Sequence, residues 1–543
     1  MKIILYFNTL RFLRFSQIIF LIINRLYRPN HKEVKLTPKN RKQIHRFLSP
    51  CKKRTLKESN FFFNYFKKDG PLEDIDWHNK SFNKLEIYNL HYFNEIFTGN
   101  NGLSSNSVLN LIDDWIDKNH EVKLVGWDPY PTSLRIVNWI KWDLLNNKFL
   151  EYQKISLFNQ GLYLEKTLEK HLRGNHLFAN AKALIFLGFY FEGKDSDRFK
   201  KKGLSILHEQ IEEQILSDGG HFELSPMYHL IILEDLLDLF NLFRSFEFKK
   251  DSLIKEITKI ILLMADWINY MNFEKEVLPC FNDSASNIAP TISSLFDYLS
   301  DLNVGFELIK NRKDYFVLLE QSGYVVSKKS NFKMILDVGS IGPDNIPAHS
   351  HADTLSFELA FDGERVLVNS GTSTYEVSER RTFERSTKAH NTLEINEQNS
   401  SEVWSSFRAG KRAKVFDLKI KRKADEINVS CSHDGYSRYK KNLIHTRSWI
   451  LRDDSLKIED YVNLETKKAV SRFIFDSKTT INIVNKNLFE ICLQGSKKIL
   501  FEIINGKPSL VPWKHTTNFG LTSDTVCLQV ELENNSSIIK IKK

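Results

Sequence analysis

The sequence predicts a multidomain α and β protein, an N-terminal (α/α) toroid followed by a C-terminal antiparallel β-sandwich. Two observations carry this reading. Between about residues 104 and 315 apolar residues recur three and four apart in successive runs, and from about Gly323 the period changes to two. Helices followed by strands, rather than alternating with them, pack helix on helix and sheet on sheet.

The helical runs are Ile155–Leu172, His176–Phe191, Phe199–Leu216, Tyr228–Phe246 and Ile254–Tyr270, separated by Arg173-Gly174-Asn175, Ser217-Asp218-Gly219-Gly220 and Asn282-Asp283-Ser284. Joints this short make neighbouring helices antiparallel, as in a bundle or toroid. In the second half, Leu355, Phe357, Leu359 and Phe361 alternate before the turn Asp362-Gly363 and continue into Val366 and Val368, which reads as a hairpin. A second hairpin is expected at Trp449–Leu451, Asp453-Asp454 and Leu456–Ile458, with further strands over 413–432 and 479–503. The expected division is a basic arm over 1–60, a toroid over 61–318 and a sandwich over 319–543, with the junction near 315–322.

The net charge of +10 does not imply nucleic-acid binding. Residues 1–60 hold 15 Lys/Arg and 2 Asp/Glu, leaving 62 basic and 65 acidic residues in the remainder. The body carries no global positive field, so an acidic ligand must be held by local groups in a cleft. Five well-separated cysteines argue against a disulfide framework and against a Cys-based zinc site. Within the arm, Arg11, Arg14, Arg25 and Arg28 fall on one face of a single helix, opposite Phe12, Phe15, Ile19 and Ile23. Such a helix either packs on the body or lies on an anionic membrane surface. Its uninterrupted apolar run Ile18–Ile23 is too short to span a bilayer, and no secretory cleavage site follows it.

Three polar segments concentrate the chemistry. Asn175, in Arg173-Gly174-Asn175-His176, stands where a helix N-cap is favoured. In the segment from Asp218 to His229, Ser225-Pro226 is a good helix start, which puts Tyr228 and His229 in a first turn. Taken alone, Tyr228 reads equally well as a solvent-exposed tyrosine. In Pro347 to Asp353, His349 and His351 are spaced to point both rings to one side of an extended segment. Asn369-Ser370-Gly371-Thr372 and Ala389-His390-Asn391-Thr392 can converge on that pair.

Asn175-His176, Ser225-Pro226-Met227-Tyr228-His229, His349-Ser350-His351-Ala352-Asp353 and the stretch from Arg385 to Ala389-His390-Asn391 resemble the heparinase II/III family of polysaccharide lyases, with alginate lyases as cousins. The resemblance covers roughly residues 100–480 and implies the same toroid and sandwich, with β-elimination of uronic-acid-containing glycans. Elimination requires a neutralised carboxylate, removal of the α-proton and protonation of the departing oxygen. The resemblance assigns the carboxylate to Asn175, aided by His176. It makes Tyr228 the acid, and also the base for one stereochemistry, with His349 the base for the other. It places Glu223, His229 and Arg385 as substrate-binding residues. No cofactor is required, and a structural zinc would take His351, Asn369 and His390, although Asn369 departs from the carboxylate of that pattern.

A glycoside hydrolase would need paired carboxylates, and no spacing pairs Asp218, Glu223 and Asp283. A non-catalytic glycan-binding protein of a capsule or exopolysaccharide assembly system remains the alternative. The expected partner is an anionic polysaccharide, with no nucleic acid and with peripheral membrane contact open through the arm. The resemblance points to the cell envelope or periplasm, and the lack of a recognisable signal peptide to the cytoplasm or the inner face of the membrane.

Overall fold

The structure is a computed structural model that describes residues 2–26, 33–51, 75–97, 103–273, 277–305 and 314–543. Parts of the expected arm, at 27–32 and 52–60, and the expected start of the toroid at 61, lie outside the described residues. The α-helices are α1 (Lys2–Leu10), α2 (Phe15–Leu26), α3 (Lys84–Leu90), α4 (Ser105–Lys118), α5 (Pro129–Asn146), α6 (Glu151–Leu164), α7 (Gly174–Tyr190), α8 (Lys194–Gln214), α9 (Pro226–Ser245), α10 (Asp251–Met271), α11 (Ile292–Asp301) and α12 (Glu379–Glu384).

Helices α5, α7 and α9 are buried on almost every side, whereas α8 and α10 bury one face only. This is the inner and outer ring of an (α/α) toroid. Glycine permits a close inner-to-outer approach: a Cβ on Gly203 would lie 2.8 Å from Ile185 and 2.9 Å from the Ala181 carbonyl. The period that suggested a helix from Ile155 to Leu172 is cut at Leu164, because residues beyond it turn back so that the Asn180 side chain can accept the Glu169 backbone N–H at 2.8 Å.

The arm is two helices rather than one. Gln17 accepts the Arg14 backbone N–H at 3.0 Å, capping a new helix, and α1 and α2 meet at 107°. The break removes the single face on which the arginines were expected to align.

The C-terminal half is antiparallel throughout its named sheets. A five-stranded meander runs Tyr315–Leu319, Tyr324–Lys329, Phe332–Asp337, Phe357–Phe361 and Glu364–Leu367. The turn at Asp362-Gly363 has φ of 53° and 77°, the paired left-handed geometry of a tight hairpin. An eight-stranded sheet includes the hairpin His445–Arg452 and Ser455–Val462, and the last strand, Ser536–Lys542, is inserted beside it. A four-stranded sheet completes the sandwich.

The meander is buried on both faces. Val325, Phe332, Met334 and Leu336 join the sandwich core, while Val326, Ile335 and Ala360 join the helical core. One sheet therefore serves both halves, and the expected division at 318/319 falls inside its first strand. The loops at the starts of α7 and α9 meet the loops around 283 and 349 at this seam.

Candidate active site

Arg173, at φ 59°, takes the N-cap position of α7, and Asn175 sits in the first turn instead of capping it. Gly174 is required at φ 53°, since a Cβ there would lie 2.7 Å from Glu223 Oε1. The buried Asn175 carboxamide lies against the Tyr130 hydroxyl. His176 bonds Glu169 Oε1 through Nδ1 at 3.0 Å and packs on Tyr130 with centroids 4.4 Å apart. Burial disfavours its cation, but Glu169, with Glu223 adding, raises the imidazole above its ordinary value.

Helix α9 begins as the Ser-Pro pair dictates: Ser225 Oγ accepts the Tyr228 N–H at 3.3 Å and donates to the Asp283 carbonyl at 2.7 Å. Tyr228 is buried, with its ring 4.0 Å from that of His349 and its hydroxyl 3.3 Å from the hydroxyl of Tyr375. Burial, then Tyr375 and Asp283, hold the phenol well above its ordinary pKa, so it rests neutral.

One carboxylate organises the β side. Asp283 Oδ2 accepts His349 Nδ1 at 2.8 Å, and Oδ1 accepts His351 Nε2 at 2.8 Å and Thr372 Oγ1 at 3.2 Å. Arg381 grips both oxygens, with Nη2 to Oδ2 at 2.7 Å. Burial alone would push this carboxyl up, but Arg381 and the two imidazoles outweigh it and hold it well below the usual range. An ionised Asp283 can only accept, so His349 Nδ1 is a donor, and the neutral tautomer selected in this way has its lone pair on Nε2. That nitrogen lies 3.8 Å from Glu223 Oε2, an oxygen with no hydrogen-bond partner among the described residues. Glu223 is raised by burial, and His349 and His176 on either side only partly offset this.

Asn175, His176, Glu223, Tyr228 and His349 thus converge from both halves. Two residues expected to bind substrate lie outside this cluster. His229 points into the toroid, bonding the Met264 carbonyl at 2.9 Å and stacking on Trp267; burial pushes its ring down to about 3. Arg385 is buried and spends its guanidinium on the carbonyls of Ser350, Trp404 and Ser405, which fixes loops. Sequence reasoning missed Asp283 as the hub, together with Arg381, Tyr375 and Tyr130. The Asp283 signal, Asn-Asp-Ser between helices, has the form of ordinary loop punctuation.

Residues 112–302 match the heparinase II/III N-terminus and residues 311–538 match the heparinase II/III-like C-terminal domain. The chain belongs to the heparinase II/III family. Within it, the chain is 25% identical over 298 residues to a heparin-sulfate lyase of Bacteroides stercoris, covering 48% of this chain and 40% of that protein. It is 26% identical over 364 residues to a heparin-sulfate lyase of Bacteroides thetaiotaomicron, covering 61% and 48%. The chain thus spans less than half the length of both relatives. A solved heparinase III superposes with a TM-score of 0.70 over 97% of this chain and 88% of that one at 18% identity, and a heparan sulfate lyase of Pedobacter heparinus with 0.57 over 88% and 80% at 18%. Both share the toroid and sandwich.

The candidate zinc residues of this heparinase II/III member form an unusual pair. His351 donates from Nε2 to Asp283, and His390 Nδ1 faces the Ser386 carbonyl at 2.8 Å, so it too is a donor. The remaining nitrogens, His351 Nδ1 and His390 Nε2, then face each other as two lone pairs 3.1 Å apart. A neutral pair elsewhere in the sandwich closes differently: Gly435 N–H donates to His433 Nδ1, and His433 Nε2 is free to donate to His445 Nδ1 at 3.0 Å, ahead of Asp460. Burial, only partly offset by Asp283, pushes His351 down to about 4, so an extra proton between the lone pairs is disfavoured near neutrality. Two facing lone pairs leave room for a cation, although no group of three or more His, Cys, Asp or Glu among the described residues is placed to hold a metal ion. The third residue, Asn369, already accepts the Asn391 N–H at 3.0 Å and brings no charge.

Asp353, a residue that could have fixed the histidine rings, does not touch them. Among the described residues neither buried oxygen has a hydrogen-bond partner of ordinary geometry, and burial, partly offset by the backbone N–H groups of Asp353 and Asn282, pushes it up to about 7. A carboxyl raised in the folded state stabilises the fold below its unfolded pKa of about 4, and that contribution is lost as pH rises through about 7. Asp353→Asn is expected to raise the melting temperature at about pH 8 and to leave it nearly unchanged at about pH 4. Melting curves of both proteins across that range check it, and a gain confined to low pH would refute the assignment.

Proposed function

We propose that this chain is a polysaccharide lyase that cleaves an anionic, uronate-containing glycosaminoglycan by β-elimination. The observation that carries the reading is the juxtaposition of His349, held by Asp283 at 2.8 Å on Nδ1 so that Nε2 is left for a substrate, with the phenol of Tyr228 against the same ring. Heparan sulfate is the first substrate to try, because the relatives at 25% and 26% identity are named heparin-sulfate lyases.

In this mechanism Asn175 hydrogen-bonds the uronate carboxylate, beside His176, whose protonated form Glu169 favours. Glu223 faces the same pocket, and burial favours its uncharged form. His349 Nε2 removes the proton α to the carboxylate. The electron pair forms the ring double bond as the C–O bond to the leaving sugar breaks. Tyr228 gives its phenolic proton to the departing oxygen, and Tyr375, 3.3 Å away, is placed to help restore it. For the opposite uronate stereochemistry, Tyr228 would act as both base and acid.

Tyr228→Phe removes only the hydroxyl and is expected to lower turnover of heparan sulfate by about two to four orders of magnitude, with binding retained. The ultraviolet absorbance of the unsaturated product reads the rate. Turnover of a competent substrate at the wild-type rate would remove Tyr228 from the mechanism.

We further propose that His351 and His390, with Asn369 as a weak neutral third group, hold a structural zinc ion. When bound, it would supply positive charge between the two lone pairs and tie their loops together. Elemental analysis of protein purified without a histidine tag is expected to give about one zinc per chain, easily lost to a chelator with a fall in melting temperature. No zinc, and melting unaffected by chelation, would reject it.

A further inference from the structure

The N-terminal helix pair is folded inside out. Its polar side chains face the protein: Asn8, 4% exposed, donates to Glu402 Oε2 at 3.3 Å, and Thr9 Oγ1 accepts the Trp404 indole N–H at 3.1 Å. Gln17, also 4% exposed, donates to the His171 carbonyl of the toroid at 3.4 Å and to the Asn345 carbonyl of the β half at 3.3 Å. Large apolar side chains face outward instead. Ile4, Phe7, Phe15, Leu21, Ile22 and Leu26 are all exposed, with Phe15 at 77% and Leu26 at 81%.

Polar anchoring on one face and bulky apolar groups on the other reverse the pattern of a helix packed on a core. Large apolar side chains left exposed on one face in this way mark an interaction site. No single helix among the described residues is long and apolar enough to cross a membrane, and the 107° bend between α1 and α2 gives two short helices rather than one rod. Interfacial helices have this character: bulky aliphatic and phenyl groups enter the acyl boundary, and neighbouring cations meet the headgroups.

Charge selects the occupant. Residues 1–60 carry 15 Lys/Arg against 2 Asp/Glu, and Arg11 and Arg25 lie exposed within and beside the pair. A second copy of this chain would bring the same cations to meet themselves, whereas anionic headgroups neutralise them. We infer that the outward face of α1 and α2 docks on the surface of an anionic lipid bilayer. The anchors at His171 and Asn345 lie four residues along the chain from Asn175 and His349, so the docked arm would hold the seam of the two halves beside the membrane. This does not rest on the lyase reading, since it is read without turnover.

The test uses the full chain with vesicles of phosphatidylglycerol and phosphatidylcholine, followed by co-sedimentation. Binding is expected to weaken about tenfold or more with phosphatidylcholine alone or in about 0.5 M salt. Phe15→Glu combined with Ile22→Glu should lose binding by a similar factor without changing the melting temperature, because both side chains are exposed. Arg25→Glu should weaken binding to anionic vesicles without touching the apolar face. Absence of vesicle binding at low salt, equal binding by the double variant, or a concentration-dependent dimer that the double variant dissolves would each overturn the inference.

Discussion

The site depends on one buried charge. Asp283 is withdrawn from water, which is costly for a carboxylate unless it is paired and hydrogen-bonded on both oxygens. Here Arg381 supplies the countercharge, and His349, His351 and Thr372 fill the remaining positions. The backbone joins in: the Asp283 N–H donates to the His349 carbonyl at 3.0 Å, and Ser225 Oγ donates to the Asp283 carbonyl. The start of helix α9, the His-x-His loop and helix α12 are therefore located by one residue. The same carboxylate decides which nitrogen of His349 is available to a substrate.

That arrangement needs a rigid seam, and the shared meander provides it. A sheet with one face in the helical core and the other in the sandwich core cannot slide without exposing apolar surface on both sides. Trp267 adds a polar tie, donating its indole N–H to Ser322 Oγ at 2.9 Å, while Asp218 accepts the Ser322 N–H. Near the site, Glu213 bonds Arg173 at 3.0 Å, Asn345 at 3.2 Å and Arg14 at 2.9 Å, joining toroid, β half and arm.

Much of this was legible in the sequence because it is local. Helix period, the Ser225-Pro226 start and the Asp362-Gly363 turn are decided by residues a few positions apart. The resemblance located Asn175, Tyr228 and His349, and the fold brings them to one seam. What escaped was long-range. Nothing near Asp283 announces that its partners lie 66 to 98 residues away, and Arg381 looks no different in sequence from Arg385, which is wholly occupied by carbonyls. His229 follows Tyr228 directly, yet one step around a helix turns it by about 100° into the core. The alternation at 355–361 reads as a hairpin strand, yet Phe357–Phe361 is buried along its whole length because it lies between the two cores.

In the proposed mechanism His349 and Tyr228 break a glycosidic bond by moving protons, without adding water. Mass spectrometry of the fragments released from heparan sulfate decides this most directly. The account predicts fragments with an unsaturated terminal uronate, one water lighter than hydrolysis would give. Saturated fragments carrying the extra water would contradict it.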